Sequence, residues 1–170
     1  MEKKLIMDDL AIQRSLKRIT HEIIEHNKGV DNIILVGIRS RGVYLARRLA
    51  ALIRSFEQVE IPVYSLDVSF WRDDHKRTQS RSEAIPVQDR KVILVDDVLF
   101  KGRTIRAAMD AITSFGRARE IQLAVLVDRG HRELPIRADY IGKNIPSALH
   151  EQILVRVEEL DHESAVYITS

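Results

Sequence analysis

The sequence predicts an α/β protein with a mostly parallel central sheet flanked by helices. Three observations carry that expectation. Ile33–Val36, Val92–Val95 and Ile121–Val127 are apolar runs of strand length, too short for helices. Between the runs lie segments with apolar residues at helical spacing, such as Ile105, Ala108, Met109 and Ile112. Each run also ends in a loop rich in Gly, Asp or Arg, and a parallel sheet binds ligands beyond the carboxyl ends of its strands.

Residues 10–26 read as the first helix. Ile12, Leu16, Ile19 and Ile23 fall on one side, and Arg14, Lys17, Arg18 and His21 fall roughly opposite. The basic stripe fits an anion such as RNA; it equally fits a solvated helix face. Asn27-Lys28-Gly29 stops the helix, with Gly29 just past the last turn. After the strand Ile33–Val36 comes Gly37-Ile38-Arg39-Ser40-Arg41-Gly42, and then a second helix marked by Val43, Ala46, Leu49, Ala50 and Ile53. Glycine lets the backbone approach an anion, and arginine offers fork-shaped donors that match phosphate oxygens. An ordinary βα turn with solvent-facing arginines fits the same residues. Ile61–Phe70 reads as a strand. Residues 72–84, RDDHKRTQSRSEA, are polar throughout and fit either a mobile lid or a plain surface connection.

Residues 92–104, VILVDDVLFKGRT, are the most informative stretch. A buried strand ends in two adjacent carboxylates, Asp96 and Asp97. A loop containing Gly102 follows, and Thr104 opens the next helix. A helix N-terminus attracts phosphate, and paired carboxylates suit ribose hydroxyls or hydrated Mg²⁺. A phosphorylated sugar satisfies both; an α/β turn with Asp at the strand end, Gly in the loop and no ligand fits the same residues. The loop is neither a Walker A motif nor G-x-G-x-x-G. Ile121–Val127 ends likewise in Asp128-Arg129-Gly130. Residues 130–146 mix His131, Arg132, Arg137 and Lys143 with two prolines and read as an irregular covering segment. Ile153–Val157 and Ala165–Ile168 read as late strands.

The chain of 170 residues fits one domain with a full core, and its 45% hydrophobic and 31% charged content is ordinary for a globular protein. With no cysteine, disulfides, thiolate chemistry and Cys-based metal sites are excluded. MEKKLIMDDL is too acidic and too poor in apolar residues for a signal peptide, and no apolar run approaches a membrane span; a cytoplasmic protein is expected. Net charge is only +2, but residues 1–54 carry 11 Lys and Arg against 6 Asp and Glu, and residues 144–170 carry 1 against 5. Concentrated basic surface permits an RNA or polyphosphate partner.

The acidic pair, short loop and Gly-x-Thr of residues 96–104 resemble the 5-phosphoribosyl-1-diphosphate (PRPP) motif of type I phosphoribosyltransferases. Lys101 stands where that family usually has Thr or Ser. VGIRSRGVYLARRLA, VILVDDVLFKGRT and LAVLVDRGHRELPIRADYIGKNIP together resemble the bacterial PyrR family, from about Leu10 to Val157. PyrR proteins are pyrimidine-operon attenuators that double as uracil phosphoribosyltransferases. The resemblance implies a type I phosphoribosyltransferase fold in one domain, residues 1–170. A small hood is expected from the N-terminal residues and about 129–146, with a mobile loop at about 72–84. It implies uracil + PRPP → UMP + diphosphate with Mg²⁺, assembly into dimers or higher oligomers, and binding of a pyrimidine-operon leader mRNA hairpin, strengthened by UMP or UTP.

Roles carry over by matching segments. Asp96 and Asp97 would be catalytic, contacting the ribose hydroxyls directly or through Mg²⁺, with the metal held mainly indirectly. Val98, Leu99, Phe100, Lys101, Gly102, Arg103 and Thr104 would hold the 5′-phosphate. Arg39, Ser40, Arg41 and Gly42 would hold the diphosphate, with Arg72 closing over it. Val127, Asp128, Arg129 and Gly130 would face uracil. Lys17, Arg18, His21, His131, Arg132, Arg137 and Lys143 would contact RNA, reading shape and phosphates in a protein with 5% aromatics. Arg132 and Arg137 could instead pair with Glu133 or Asp139. Lys101 and a polar segment after Arg72 that is shorter than in relatives both point to modest activity. Two further functions fit the residues: a salvage enzyme without RNA binding, and an RNA-binding nucleotide sensor with little catalysis.

Overall fold

The computed structural model describes residues 2–71 and 84–170. Arg72 and nearly all of the polar 72–84 segment lie outside the described residues. Five parallel strands form the main sheet: β2 (Ile33–Ile38), β3 (Val63–Leu66), β4 (Lys91–Leu99), β5 (Glu120–Asp128) and β6 (Tyr140–Asn144), in the order β3-β2-β4-β5-β6. Successive side chains of a strand point to opposite faces, and both faces here are apolar. Ile33, Leu35, Ile93, Val95, Ala124 and Leu126 face one core with helices α1 (Asp9–His26) and α2 (Arg41–Glu57). Ile34, Val36, Val92, Leu94, Leu123 and Val125 face a second core with α3 (Arg103–Phe115). Burial on both sides explains the unbroken apolar runs in the sequence.

The chain runs from β2 through α2 to β3 in one direction, and from β4 through α3 to β5 in the other. The sheet order therefore reverses between β2 and β4. That is the position where an open α/β sheet leaves a crevice for a ligand, and the loops at residues 39–42 and 97–102 flank it.

A second, antiparallel sheet joins the two ends of the chain: β1 (Lys3–Met7), β8 (Ala165–Thr169) and β7 (Gln152–Arg156), in the order β1-β8-β7. The short helix α4 (Glu158–Asp161) connects β7 to β8.

Two expectations are corrected here. Ile61–Phe70 is not one strand: β3 covers Val63–Leu66, and Ser69–Trp71 is a 3₁₀ turn. Asp67 ends the strand because its carboxylate accepts from the Ser69 backbone N–H (3.0 Å) and hydroxyl (2.6 Å), a local alternative to ladder bonding. Residues 130–146 are not irregular throughout: their last part is a strand of the main sheet. Tyr140–Asn144 pairs with β5, Ala124 opposite Tyr140 and Asp128 opposite Asn144.

Candidate active site

Asp96 and Asp97 are adjacent in β4 but differ in environment. Asp96 is 8% exposed, while Asp97 is partly exposed. The backbone N–H of Asp97 donates to Asp96 Oδ1 at 2.8 Å, and the Val98 N–H donates to Asp97 Oδ1 at 2.8 Å. Burial pushes the Asp96 carboxyl well above the usual range, reinforced by the neighbouring charge of Asp97. The protonated form of Asp96 is therefore favoured, and Asp97 is the more exposed member of the pair.

Beyond the pair, residues 98–105 wrap a cavity of about 140 Å³ lined by Val98, Leu99, Phe100, Lys101, Gly102, Arg103, Thr104 and Ile105. Gly102 sits at φ +95°, a left-handed conformation that favours glycine. It precedes α3 and brings no side-chain cap to the helix start. The first turn thus points its amide dipole into the cavity. Lys101 Nζ lies 3.6 Å from Glu133, and Arg103 Nε lies 3.0 Å from the same carboxylate.

Across the crevice, Arg39 Nε donates to the Ser65 hydroxyl at 3.0 Å, and the Arg39–Ser40 peptide is cis. Ser40 precedes α2 without a side-chain cap bond. Arg41 is already engaged: its guanidinium donates to both oxygens of Asp161 in α4, at 3.1 and 2.8 Å. Gly42 has a packing requirement of its own. A Cβ there would lie 2.3 Å from the Val95 carbonyl oxygen, so glycine lets α2 start directly against β4.

The third loop forms a cleft of about 250 Å³ lined by Asp128, Arg129, Gly130, His131, Arg132, Asn144 and Pro146. Asp128 is committed within it: Oδ1 accepts from the Gly130 N–H at 2.9 Å and Oδ2 from Arg132 at 3.0 Å. Arg129 lines the cleft but is almost wholly buried. It donates to the Ser147 hydroxyl (3.0 Å) and to the carbonyls of Ala148 (3.0 Å) and Glu151 (2.7 Å), with its guanidinium 3.9 Å from the Phe100 ring centre. Burial lowers its pKa. Val127 is buried in the sheet.

The candidate RNA residues fall into two groups. Lys17, His21, Arg137 and Lys143 are exposed; the His21 ring stacks on Phe56 at 4.5 Å. Arg18 instead donates to the Ile141 and Gly142 carbonyls of β6 and meets Glu22. It fastens α1 to the sheet edge at β6. His131 contacts the Ser147 carbonyl and packs edge-on against Phe100. Arg132 pairs with Asp128 rather than with Glu133 or Asp139; Asp139 accepts from the Leu123 N–H at 2.8 Å.

The phosphoribosyl transferase domain model matches residues 5–161, and the chain belongs to that class of protein. The fold agrees: a mutant hypoxanthine phosphoribosyltransferase from Trypanosoma cruzi, in a ternary substrates complex, superposes with TM-score 0.79 at 17% identity, over 98% of this chain and 95% of that one. HGPRT-ase from Leishmania tarentolae in complex with GMP gives 0.75 at 16%, over 100% and 98%. "Bifunctional protein PyrR" of Clostridium novyi (strain NT) is 55% identical over 172 residues, 98% of this chain and 97% of the relative. That of Bacillus mycoides (strain KBAB4) is 54% identical over 175 residues, 98% and 97%. Within its class the chain is a member of the bifunctional PyrR family.

Proposed function

We propose that the protein catalyses uracil + PRPP → UMP + diphosphate, and that its UMP- or UTP-bound form binds a hairpin in pyrimidine-operon leader mRNA and favours transcription termination. One observation carries the enzymatic half. The Asp96–Asp97 pair at the β4 end runs directly into the Gly102 loop and the start of α3, which sets ribose-binding carboxylates beside a phosphate cradle.

As the bond from C1′ to diphosphate breaks, positive charge develops on the ribose ring. Catalysis is then positioning plus electrostatics. Asp97, the more exposed member of the pair, faces that charge and binds ribose hydroxyls. Asp96, its carboxyl favoured in the protonated form, orients Asp97 and adds a hydrogen bond. The amides of 98–104 and the Thr104 hydroxyl hold the 5′-phosphate, and Lys101 adds a point charge. Arg39 and Ser40 take the diphosphate. Arg41 joins them on release from Asp161. Uracil sits in the cleft of residues 128–132, shaped by the Asp128–Arg132 pair.

Among the described residues no group of three or more His, Cys, Asp or Glu converges as a metal cage. The Asp97 carboxylate nonetheless fits hydrated Mg²⁺, which takes one or two carboxylates and completes its shell with water and substrate phosphates; Asp96 would act on the ion only indirectly, through Asp97. When bound, Mg²⁺ neutralises the leaving diphosphate.

Lys17, His21, Arg137 and Lys143 supply the RNA face; Arg18 is its scaffold. The small sheet acts as the hood, and the protein works as a dimer or higher oligomer in the cytoplasm. Among the described residues no helix is long and apolar enough to cross a membrane. A uracil-dependent PRPP assay tests the enzyme. Leader-hairpin binding at fixed salt, with and without UMP, tests the regulator; binding that is weak and indifferent to UMP leaves a salvage enzyme alone.

A further inference from the structure

Glu133 is remote from the phosphate loop in sequence but meets it at three points. Its backbone N–H donates to the Lys101 carbonyl at 2.9 Å. Its Oε1 accepts from Arg103 Nε at 3.0 Å, and its Oε2 lies 3.6 Å from Lys101 Nζ. Leu134 and Ile136 back the turn, each 3.6 Å from where a Cβ on Gly102 would stand. The Arg103 hydrogen bond, with the charge of Lys101, holds the Glu133 carboxyl below its usual range. One carboxylate thus partners both cations of the loop, and a backbone bond keeps it there.

We propose that Glu133 is a positioning residue whose carboxylate competes with the incoming 5′-phosphate for Lys101, and so sets the KM for PRPP. The proposal deepens the reading above and rests on residues 98–104 holding that phosphate. An ammonium on a flexible four-carbon stem can move from one anion to another. A Thr or Ser at this position would have no charge to exchange. A phosphate dianion attracts Lys101 more strongly than a carboxylate does, but the Lys101–Glu133 contact must be given up first. The bound phosphate then faces Glu133 as a like charge. Both effects act on binding, and neither acts on the departure of diphosphate from C1′.

Glu133→Gln keeps the backbone bond and removes the competing charge. The KM for PRPP falls about two- to fivefold at low salt, the range for exposed ion pairs, with kcat unchanged. The gain shrinks at high salt because these side chains are about 40% exposed (45%, 43% and 39% for Lys101, Glu133 and Arg103) and screened. In a Lys101→Thr background the substitution loses most of its effect. A purely structural clasp gives the opposite sign, a raised KM insensitive to salt. A raised or unchanged KM in E133Q, or an undiminished effect beside Lys101→Thr, overturns the proposal. Thr104→Val separates the two readings. If it raises KM while E133Q does nothing, the Glu133 proposal alone fails; if Thr104→Val and Lys101→Thr both leave KM unchanged, the loop does not hold the phosphate.

Discussion

Asp96 and Asp97 share a side-chain type and a strand but not a role, and burial is what divides them. Between the ordinary carboxylate range and the raised value of Asp96, the unfolded chain has released this proton while the native state retains it. Stability therefore falls as pH rises through that window. Asp96→Asn keeps an acceptor for the Asp97 N–H and removes the titration. At pH above the ordinary carboxylate range it raises Tm, and it flattens the decline of Tm as pH rises from there, with reduced turnover; a Tm profile identical to that of the unsubstituted protein would show that Asp96 ionises normally. Asp97→Asn leaves Tm within a few degrees and cuts kcat by about 10²-fold or more, as for loss of one preorganised electrostatic group. Unchanged kcat removes Asp97 from the mechanism.

At the scale of elements, the latch between α2 and α4 ties the start of α2 to the connection between β7 and β8. Arg41 donates to Asp161, and Arg48 donates to Glu159 and Ser164. The Asp161 carboxyl is held below its usual range, chiefly by the Arg41 hydrogen bond. The latch is thus at full strength above the ordinary carboxylate range and is lost as pH falls through the depressed value. Asp161→Asn costs about 1–2 kcal/mol, read calorimetrically as a fall in Tm of roughly 3–6 °C; an unchanged Tm would mean the pair contributes nothing net. Periodicity made α1, α2, α3 and the three central strands legible, because each buries a regular apolar pattern. Arg18, Arg41 and Arg129 were not legible in their roles. Their partners lie 123 and 124, 120, and 18–22 positions away, and no local pattern marks such contacts. The edge strand β6 hid for a related reason: YIGKN has two exposed polar residues in five and follows an irregular stretch containing Pro135. The carboxylate pair and the glycine loop were readable because their chemistry is contiguous in the chain.

Over the whole molecule, Arg18 joins α1 to the edge strand β6, so two distant segments that carry basic residues meet there. Arg137→Ala weakens hairpin binding and reduces the salt slope by about one, with uracil turnover unchanged. Arg18→Ala lowers Tm as well, because two β6 carbonyls lose their donor. Equal Tm for the two variants, by thermal melting, would place Arg18 among the RNA contacts after all.

The antiparallel sheet has a consequence in time. Its central pairing sets Lys3 against Thr169, nearly the longest loop the chain can close, whereas the parallel core is built from neighbouring strand–helix–strand units. Long closures come late, since their entropy is lost before any contact repays it. On a ribosome the crevice walls can be assembled while β7 and β8 are still unmade, and the sheet that joins the two ends of the chain is stitched shut last.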